Sequence, residues 1–234
     1  MEMTTTPDDP RTDGAATSGE DTDETRDGGA AADATTVDPT DVDPDEIELP
    51  DAFGEQVAHV YGFDEQPTTY GEWAVAIVSA FDEGHDRPLS TDDLCDTDES
   101  PHAATVGGET TNYVCAQDPL VVGLLADEPV IVESEPPNAE TTIRIEFAED
   151  GTMTADPEGA LLSFGVAGDV DAPEPVTPQA MYVRTCPYGH AFPDDATYEA
   201  WATETDGVTD VLSVPAGIAV MESLIEAAGV GALE

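Results

Sequence analysis

The sequence predicts an α+β fold: a mixed, mainly antiparallel sheet flanked by helices, with a small N-terminal helical subdomain and a disordered acidic tail. Residues 71–83 repeat apolar side chains at helical spacing. Residues 129–135 and 141–147 alternate apolar and polar side chains, as half-buried strands do. Helical patterns stand at both ends of this strand-rich order, which favours α+β over a regularly alternating α/β arrangement.

The tail is predicted over residues 1–50, which contain sixteen acidic residues and no aromatic residue. Such a segment cannot bury enough apolar surface to offset the entropy that it would lose on ordering. Ordered structure is therefore expected to begin near Phe53.

Residues 51–108 are predicted to form the helical subdomain. Its main helix, over 71–83, carries apolar side chains at helical spacing: Trp73, Ile77, Ala80 and Phe81. Ser90 is expected to cap a short second helix, with Asp93 three residues later completing a capping box. The pair Gly107–Gly108 is expected to end this subdomain.

Residues 109–234 are predicted to form a larger α+β domain. A short buried helix over 119–126 opens with Pro119 at its first position and Asp118 as a possible N-cap. Strands are predicted over 129–135, 141–147, 151–156, 160–166, 180–186 and 208–214. Two further helices are predicted, one capped by Asp194 or Asp195 and running through Trp201, the other closing the chain over 216–228.

Acidic residues dominate the charge: 53 Asp and Glu stand against five Arg and no Lys, a net charge of −48. At about 1 M salt the Debye length falls to roughly 3 Å, so this self-repulsion becomes tolerable. We interpret the charge, which is spread along the whole chain, as adaptation of a cytoplasmic protein to an extreme halophile's interior. Five scattered Arg cannot form a nucleic-acid surface, no apolar run is long enough to span a membrane, and the N-terminus lacks signal-peptide character.

Two of the three cysteines stand in motifs that suggest soft-metal chemistry. Cys115 is followed three residues later by Asp118, and Cys186 opens the stretch Cys186-Pro-Tyr-Gly-His190. These residues are too sparse for a structural zinc site, and the C-x-x-C of thioredoxin-like enzymes is missing. Thiolate sulfur is the ligand that soft metal ions prefer.

Around these cysteines the sequence resembles the organomercurial (alkylmercury) lyases over roughly residues 110–225. The segments that carry the resemblance are Tyr113–Asp118, Leu120–Leu125, Cys186 with His190, Pro193 to Trp201, and Val208–Val220. The region before the first of these segments is shorter than in the family, so we interpret the chain as an N-terminally shortened member.

The resemblance implies an enzyme that cleaves carbon–mercury bonds, with Cys115, Cys186 and Asp118 as catalytic and mercury-binding residues. Two thiolates on one mercury would push electron density onto the organic group, and a nearby carboxyl group could then deliver a proton to carbon. We expect Asp118 to relay a thiol proton. No cofactor is expected, because mercury arrives with the substrate. Small thiols or a mercuric reductase are the expected acceptors of the Hg(II) product.

Other interpretations of the same residues stay open. Each thiol could be a buried small hydrophobe, and helix capping alone would explain Asp118. The main alternative function is a non-catalytic protein that binds Hg(II) or Cu(I) on the same fold, and a weaker one is a redox protein with a reversible Cys115–Cys186 disulfide. Asp118 separates lyase from metal trap, because only cleavage needs a proton carrier.

Three neighbouring residues receive secondary predictions. His190 lies four residues after Cys186 with Pro187 and Gly189 between them, so it is expected to hydrogen-bond behind the site rather than ligate metal. Arg184 either favours the Cys186 thiolate or forms a surface ion pair. Cys95, within the acidic stretch 92–99, is expected to be incidental, with onward passage of mercury as its alternative role.

Overall fold

The structure is a computed structural model that describes residues 42–84 and 90–230. The helices are α1 (Asp51–Tyr61), α2 (Tyr70–Gly84), α3 (Gln117–Leu125), α4 (Pro178–Arg184), α5 (Asp195–Glu204) and α6 (Val214–Ala228). The strands are β1 (Asp96–Thr97), β2 (His102–Val106), β3 (Glu109–Tyr113), β4 (Val130–Ser134), β5 (Ile143–Phe147), β6 (Met153–Asp156), β7 (Leu161–Ala167), β8 (Ala191–Phe192) and β9 (Gly207–Ser213).

The strands form two antiparallel sheets. The larger has six strands in the order β1-β3-β2-β4-β5-β6, and the smaller has three in the order β8-β7-β9. Every strand pair that the structure describes is antiparallel. Helices pack beside both sheets, so the predicted α+β class is confirmed.

Most predicted elements after residue 119 are confirmed, and their sequence signals act as expected. The Asp194 carboxylate accepts a 2.8 Å hydrogen bond from the backbone N–H of Thr197, which caps α5. The Ser213 side chain caps α6, with Pro215 in its first turn. Helix α2 also confirms the pattern over 71–83, since Trp73, Ile77 and Phe81 are buried.

The prediction that the region up to Gly107–Gly108 is helical is wrong. Strands β2 and β3 form a hairpin there, and Val106 pairs with Glu109 across the two glycines. Both glycines have positive φ, 58° and 88°, which a two-residue hairpin turn requires and which glycine adopts without strain. The predicted second helix is reduced to one 3₁₀ turn over Thr91–Asp93, with the Ser90–Asp93 capping box formed as expected.

The strand predicted over 180–186 is also wrong, because this segment forms α4 followed by a 3₁₀ turn over Cys186–Tyr188. The Thr177 side chain accepts a 3.0 Å hydrogen bond from the N–H of Ala180, and Pro178 occupies the first helical position. This start signal, rather than the apolar residues that follow, decides the conformation.

The boundary predicted between tail and ordered chain lies too late. Residues 1–41 of the predicted tail fall outside the described residues. Leu49 is buried, and its N–H donates a 2.8 Å hydrogen bond to the Thr68 carbonyl. The fold therefore already includes residues before Phe53.

Aromatic side chains join the N-terminal helices to the smaller sheet. The Tyr70 ring of α2 lies 5.4 Å from the Phe164 ring of β7, and Trp73 lies 5.9 Å from the same ring. Helix α2 packs along α6, and α1 packs against β7 and β9. One hydrophobic core therefore spans both sides of the predicted boundary at residue 108. In the ranges that the structure describes, no helix is long and apolar enough to cross a membrane.

Candidate active site

An apolar cavity of about 150 Å³ lies beside α2, α3 and α6. Its apolar lining includes Trp73, Ile77, Phe81, Phe164, Met181 and Leu224. Four reactive residues on its lining come from three separate segments of the sequence: Cys95, Cys115 with Asp118, and Cys186. The structure therefore brings together all three predicted catalytic residues and adds a third thiol.

Cys115 is positioned by the junction between β3 and α3. Its backbone continues into Ala116, whose N–H donates a 2.9 Å hydrogen bond to the Gly189 carbonyl. Gln117, the first residue of α3, donates a 2.6 Å hydrogen bond from Nε2 to the Ser163 carbonyl. These bonds fix the Cys115 segment against both the Cys186 turn and the smaller sheet.

Cys186 opens a 3₁₀ turn that is held mainly through Tyr188. The Tyr188 hydroxyl donates a 3.0 Å hydrogen bond to Asp206, and the Ser163 hydroxyl donates a 2.7 Å hydrogen bond to the Tyr188 carbonyl. The ring lies directly over Gly207, where a Cβ atom would come within 2.3 Å of Cε1. A residue with a side chain at Gly207 would therefore push the ring, and with it the Cys186 turn, out of place.

The thiols of Cys95, Cys115 and Cys186 share the wall of this cavity. The Cys186 pKa is raised, first by the Cys115 and Cys95 thiols and then by burial and the negative charge of Asp118. The Cys95 pKa is lowered, because the Cys186 thiol donates to its thiolate form. Of Cys95 and Cys186, Cys186 therefore holds its proton more tightly.

Asp118 does not cap the helix, which corrects the capping interpretation. Helix α3 begins one residue earlier, at Gln117, so Asp118 lies within its first turn. Its Oδ2 instead accepts a 2.8 Å hydrogen bond from the backbone N–H of Cys95, and its carboxyl group also interacts with the Cys115 thiol. Burial raises the Asp118 pKa to about 6, although these two hydrogen bonds act in the opposite direction. A carboxyl group with this pKa exchanges protons readily near neutrality.

Sequence reasoning missed Cys95 because the β2–β3 hairpin was not predicted. Strand β1 pairs with β3 and sets Asp96 opposite Tyr113, so Cys95 lies beside the Cys115 segment. The Val114 N–H donates a 2.9 Å hydrogen bond to the Cys95 carbonyl. Cys95 therefore lies close to Cys115 and on the same cavity wall as Cys186. The Gly-Gly turn before residue 109 was the signal that could have revealed this arrangement.

His190 and Arg184 contribute no group to the cavity lining. His190 packs its ring 5.1 Å from that of Trp201 and 5.4 Å from that of His102, and its Nε2 lies 3.0 Å from the Pro187 carbonyl. Arg184 forms an ion pair with Glu174 at 3.2 Å, which matches the surface-pair alternative.

Within residues 42–84 and 90–230, no three His, Cys, Asp or Glu side chains already form a group that could hold a metal ion. The thiols and Asp118 nevertheless lie within interaction distance of one another. To coordinate a metal that enters the cavity, these side chains would have to rotate.

Residues 96–226 match the sequence model of the MerB family, described as alkylmercury lyase. The chain is also similar to a solved structure described as the mercury-bound form of MerB2, with 19% identity and a TM-score of 0.41. That similarity covers 55% of this chain and 59% of the other, so the match spans less than two thirds of the MerB2 chain. No curated protein matches the sequence. Because the family match extends over more than half of the sequence and contains Cys115, Asp118 and Cys186, the chain belongs to the alkylmercury lyase family.

Proposed function

We propose that the protein is an organomercurial lyase that cleaves carbon–mercury bonds by protonolysis, releasing a hydrocarbon and Hg(II). In this proposal Cys115 and Cys186 capture mercury and Asp118 relays the proton. The observation that carries it is the convergence of two buried thiols and one partly buried carboxyl group on the wall of a single apolar cavity. Membership of the alkylmercury lyase family supports the same activity.

Mercury capture would begin with one thiol. The Cys115 sulfur displaces the group opposite the organic substituent, and its proton leaves with that group. Mercury(II) is soft and thiolate sulfur is its preferred protein ligand. The organic group would then lie in the apolar part of the cavity while its mercury faces Cys186.

Cleavage would use the proton that Cys186 retains. The Asp118 carboxylate takes this proton as the Cys186–mercury bond forms and returns it to carbon as the carbon–mercury bond breaks. The products are the hydrocarbon and Hg(II) held by two sulfurs, so atoms and charge balance without an external oxidant or cofactor. The Asp118 pKa of about 6 suits a relay, because the carboxylate is available near neutrality to accept the proton that Cys186 loses when it binds mercury.

The cavity suits small organic groups. A dry apolar cavity of about 150 Å³ is known to hold a benzene molecule in another protein, so phenylmercury and short alkylmercury compounds are the proposed substrates. Small thiols, or a mercuric reductase, would remove the Hg(II). We place the protein in a salt-rich cytoplasm because its charge of −48 requires strong screening.

The test is release of benzene from phenylmercury acetate with excess small thiol in multimolar KCl. We expect catalytic benzene release by the native protein and its loss in Cys115→Ser and in Cys186→Ser. The variant Asp96→Asn, which removes an exposed charge beside the site, is the matched control and should keep the activity. Stoichiometric mercury binding without benzene would instead identify a non-catalytic Hg(II) or Cu(I) trap, and a reversible disulfide without mercury binding would identify a redox protein.

A further inference from the structure

The thiol of Cys95 lines the cavity, but the proposed cleavage reaction assigns it no role. It lies between the 3₁₀ turn Thr91–Asp93 and β1, one residue before the segment that matches the family. Cys95 is partly exposed, whereas Cys115 and Cys186 are only 4% and 8% exposed. Of the three thiols, it is therefore the one best placed to meet a partner from solution.

The backbone of Cys95 is fixed on both sides. Its N–H donates to Asp118 at 2.8 Å, and its carbonyl accepts from the Val114 N–H at 2.9 Å. Both partners belong to the segment around Cys115, so Cys95 and Cys115 form one rigid unit. The sulfur makes a long contact of 3.9 Å with the Asp93 carbonyl, a weak interaction that a bond to a metal would replace.

Cys186 can pair with either of the other two thiols. All three line the same cavity, and both Cys115 and Cys95 raise the pKa of Cys186. Two pairs of sulfurs are therefore available around Cys186, one deep in the site and one nearer to solvent. Two thiolates are enough to bind one Hg(II) tightly, so either pair could hold one mercury.

We propose that Cys95 and Cys186 form a second, outer two-thiol position for Hg(II), to which the metal moves from Cys115 and Cys186 before it leaves the protein. The Cys95 sulfur gives its proton to water as its bond to mercury forms. The Cys115–mercury bond then breaks, and the Cys115 sulfur takes a proton from water. Mercury stays Hg(II) throughout. The handover deepens the proposed lyase function and rests on it, but the outer position can be tested without any organomercurial.

The test loads Cys115→Ala with one equivalent of HgCl₂, without added thiol, and counts sulfur neighbours by mercury X-ray absorption. We expect two sulfurs in Cys115→Ala and one in the double variant Cys115→Ala/Cys95→Ala. Cys115→Ser and Cys115→Ser/Cys95→Ser are measured in parallel, so that one badly folded variant does not decide the result. One sulfur in both single variants, with native-like circular dichroism, would overturn the proposal.

The outcome is independent of the lyase test. If the native protein releases no benzene from phenylmercury, the proposed function fails, whatever the sulfur count. If benzene is released but the Cys115 single variants bind mercury through one sulfur, the lyase stands and the outer position is overturned.

Discussion

The backbone N–H of Cys95 donates a 2.8 Å hydrogen bond to Oδ2 of Asp118, which lies 23 residues further along the chain. This bond ties the segment before the β2–β3 hairpin to the first turn of α3. It holds the Asp118 carboxylate on the cavity wall that the three thiols share.

Asp118→Asn should stabilise the fold, and the gain should depend on pH. Burial raises the Asp118 pKa to about 6 from an ordinary 3.8. At a pH below the unfolded-state pKa of 3.8, Asp118 is protonated in both the folded and the unfolded protein, so its titration does not change the free energy of unfolding. As pH rises from about 4 to 6, only the unfolded state loses its proton, so the native free energy of unfolding falls by about 3 kcal/mol.

The amide of Asp118→Asn does not ionise, so the variant does not lose this unfolding free energy as pH rises. The difference in free energy of unfolding, variant minus native, should therefore grow by about 3 kcal/mol between pH 4 and 7. Urea unfolding in multimolar KCl measures it, with Asp96→Asn as the charge control. A difference that stays flat with pH would show that Asp118 ionises as easily in the folded protein as in the unfolded one.

The rate of benzene release should rise with pH through about 6. The relay requires Asp118 to start as a carboxylate, because it must accept the Cys186 proton before returning it. The acid limb of the single-turnover rate should therefore have a midpoint near the raised pKa of Asp118, about 6. A rate that falls as pH passes through this value would mean that Asp118 begins as the protonated acid.

Gly207→Ala should disturb mercury capture from outside the cavity. The new Cβ atom would lie 2.3–2.4 Å from ring atoms of Tyr188, which cannot move away without shifting the Cys186 turn. We expect a loss of about 1–3 kcal/mol in unfolding free energy and weaker Hg(II) binding. Isothermal titration with HgCl₂ and urea unfolding measure both effects.

Gly159→Ala is the matched control for this substitution, because no heavy atom lies within 4 Å of its added Cβ. It should leave both quantities unchanged. Equal effects of the two substitutions would remove the steric explanation.

His102 should make the fold sensitive to acid. Its side chain is 1% exposed and hydrogen-bonds to Ser134 through Nδ1 at 2.7 Å. Burial, together with the neighbouring His190, lowers the His102 pKa to about 3. Below about pH 6.5 His102 binds a proton in the unfolded protein but stays neutral in the folded one. The free energy of unfolding therefore falls as pH is lowered below that value.

The loss that His102 causes between pH 6.5 and 3 should reach about 5 kcal/mol. His102→Asn keeps a polar atom near Ser134 and should flatten this part of the stability profile. Urea unfolding at a series of pH values tests the prediction, and His59→Asn controls for the removal of a histidine. An unchanged slope in His102→Asn would assign the acid sensitivity to other groups.

Local signals predicted the C-terminal half well because each element there begins or alternates in a way that its own residues determine. Asp194 and Ser213 cap their helices, and Ile143–Phe147 alternates buried and partly exposed side chains. The failures have two causes: a local helix start that was not recognised, and a strand that lacks an apolar pattern. The strand pattern over 180–186 yielded to the Thr177–Pro178 helix start, and the short polar strand β3 carries almost no apolar signal of its own.

The sequence motifs predicted three of the four reactive residues on the cavity wall. Cys115, Asp118 and Cys186 could be named from their spacing and from the family resemblance, and their meeting on one cavity is a property of the fold. Cys95 could not be assigned, because its place depends on pairing between Asp96 and Tyr113 across the unpredicted hairpin. The pKa of Asp118 depends on burial, which the sequence motif does not encode.

Single-turnover cleavage by Asp118→Asn tests the central claim most directly. The variant keeps all three thiols and should bind phenylmercury with native stoichiometry. Because proton relay contributes on the order of 10²–10⁴ in rate, benzene release should slow by about 10²-fold or more. Benzene release at the native rate by a variant that binds phenylmercury normally would contradict the account.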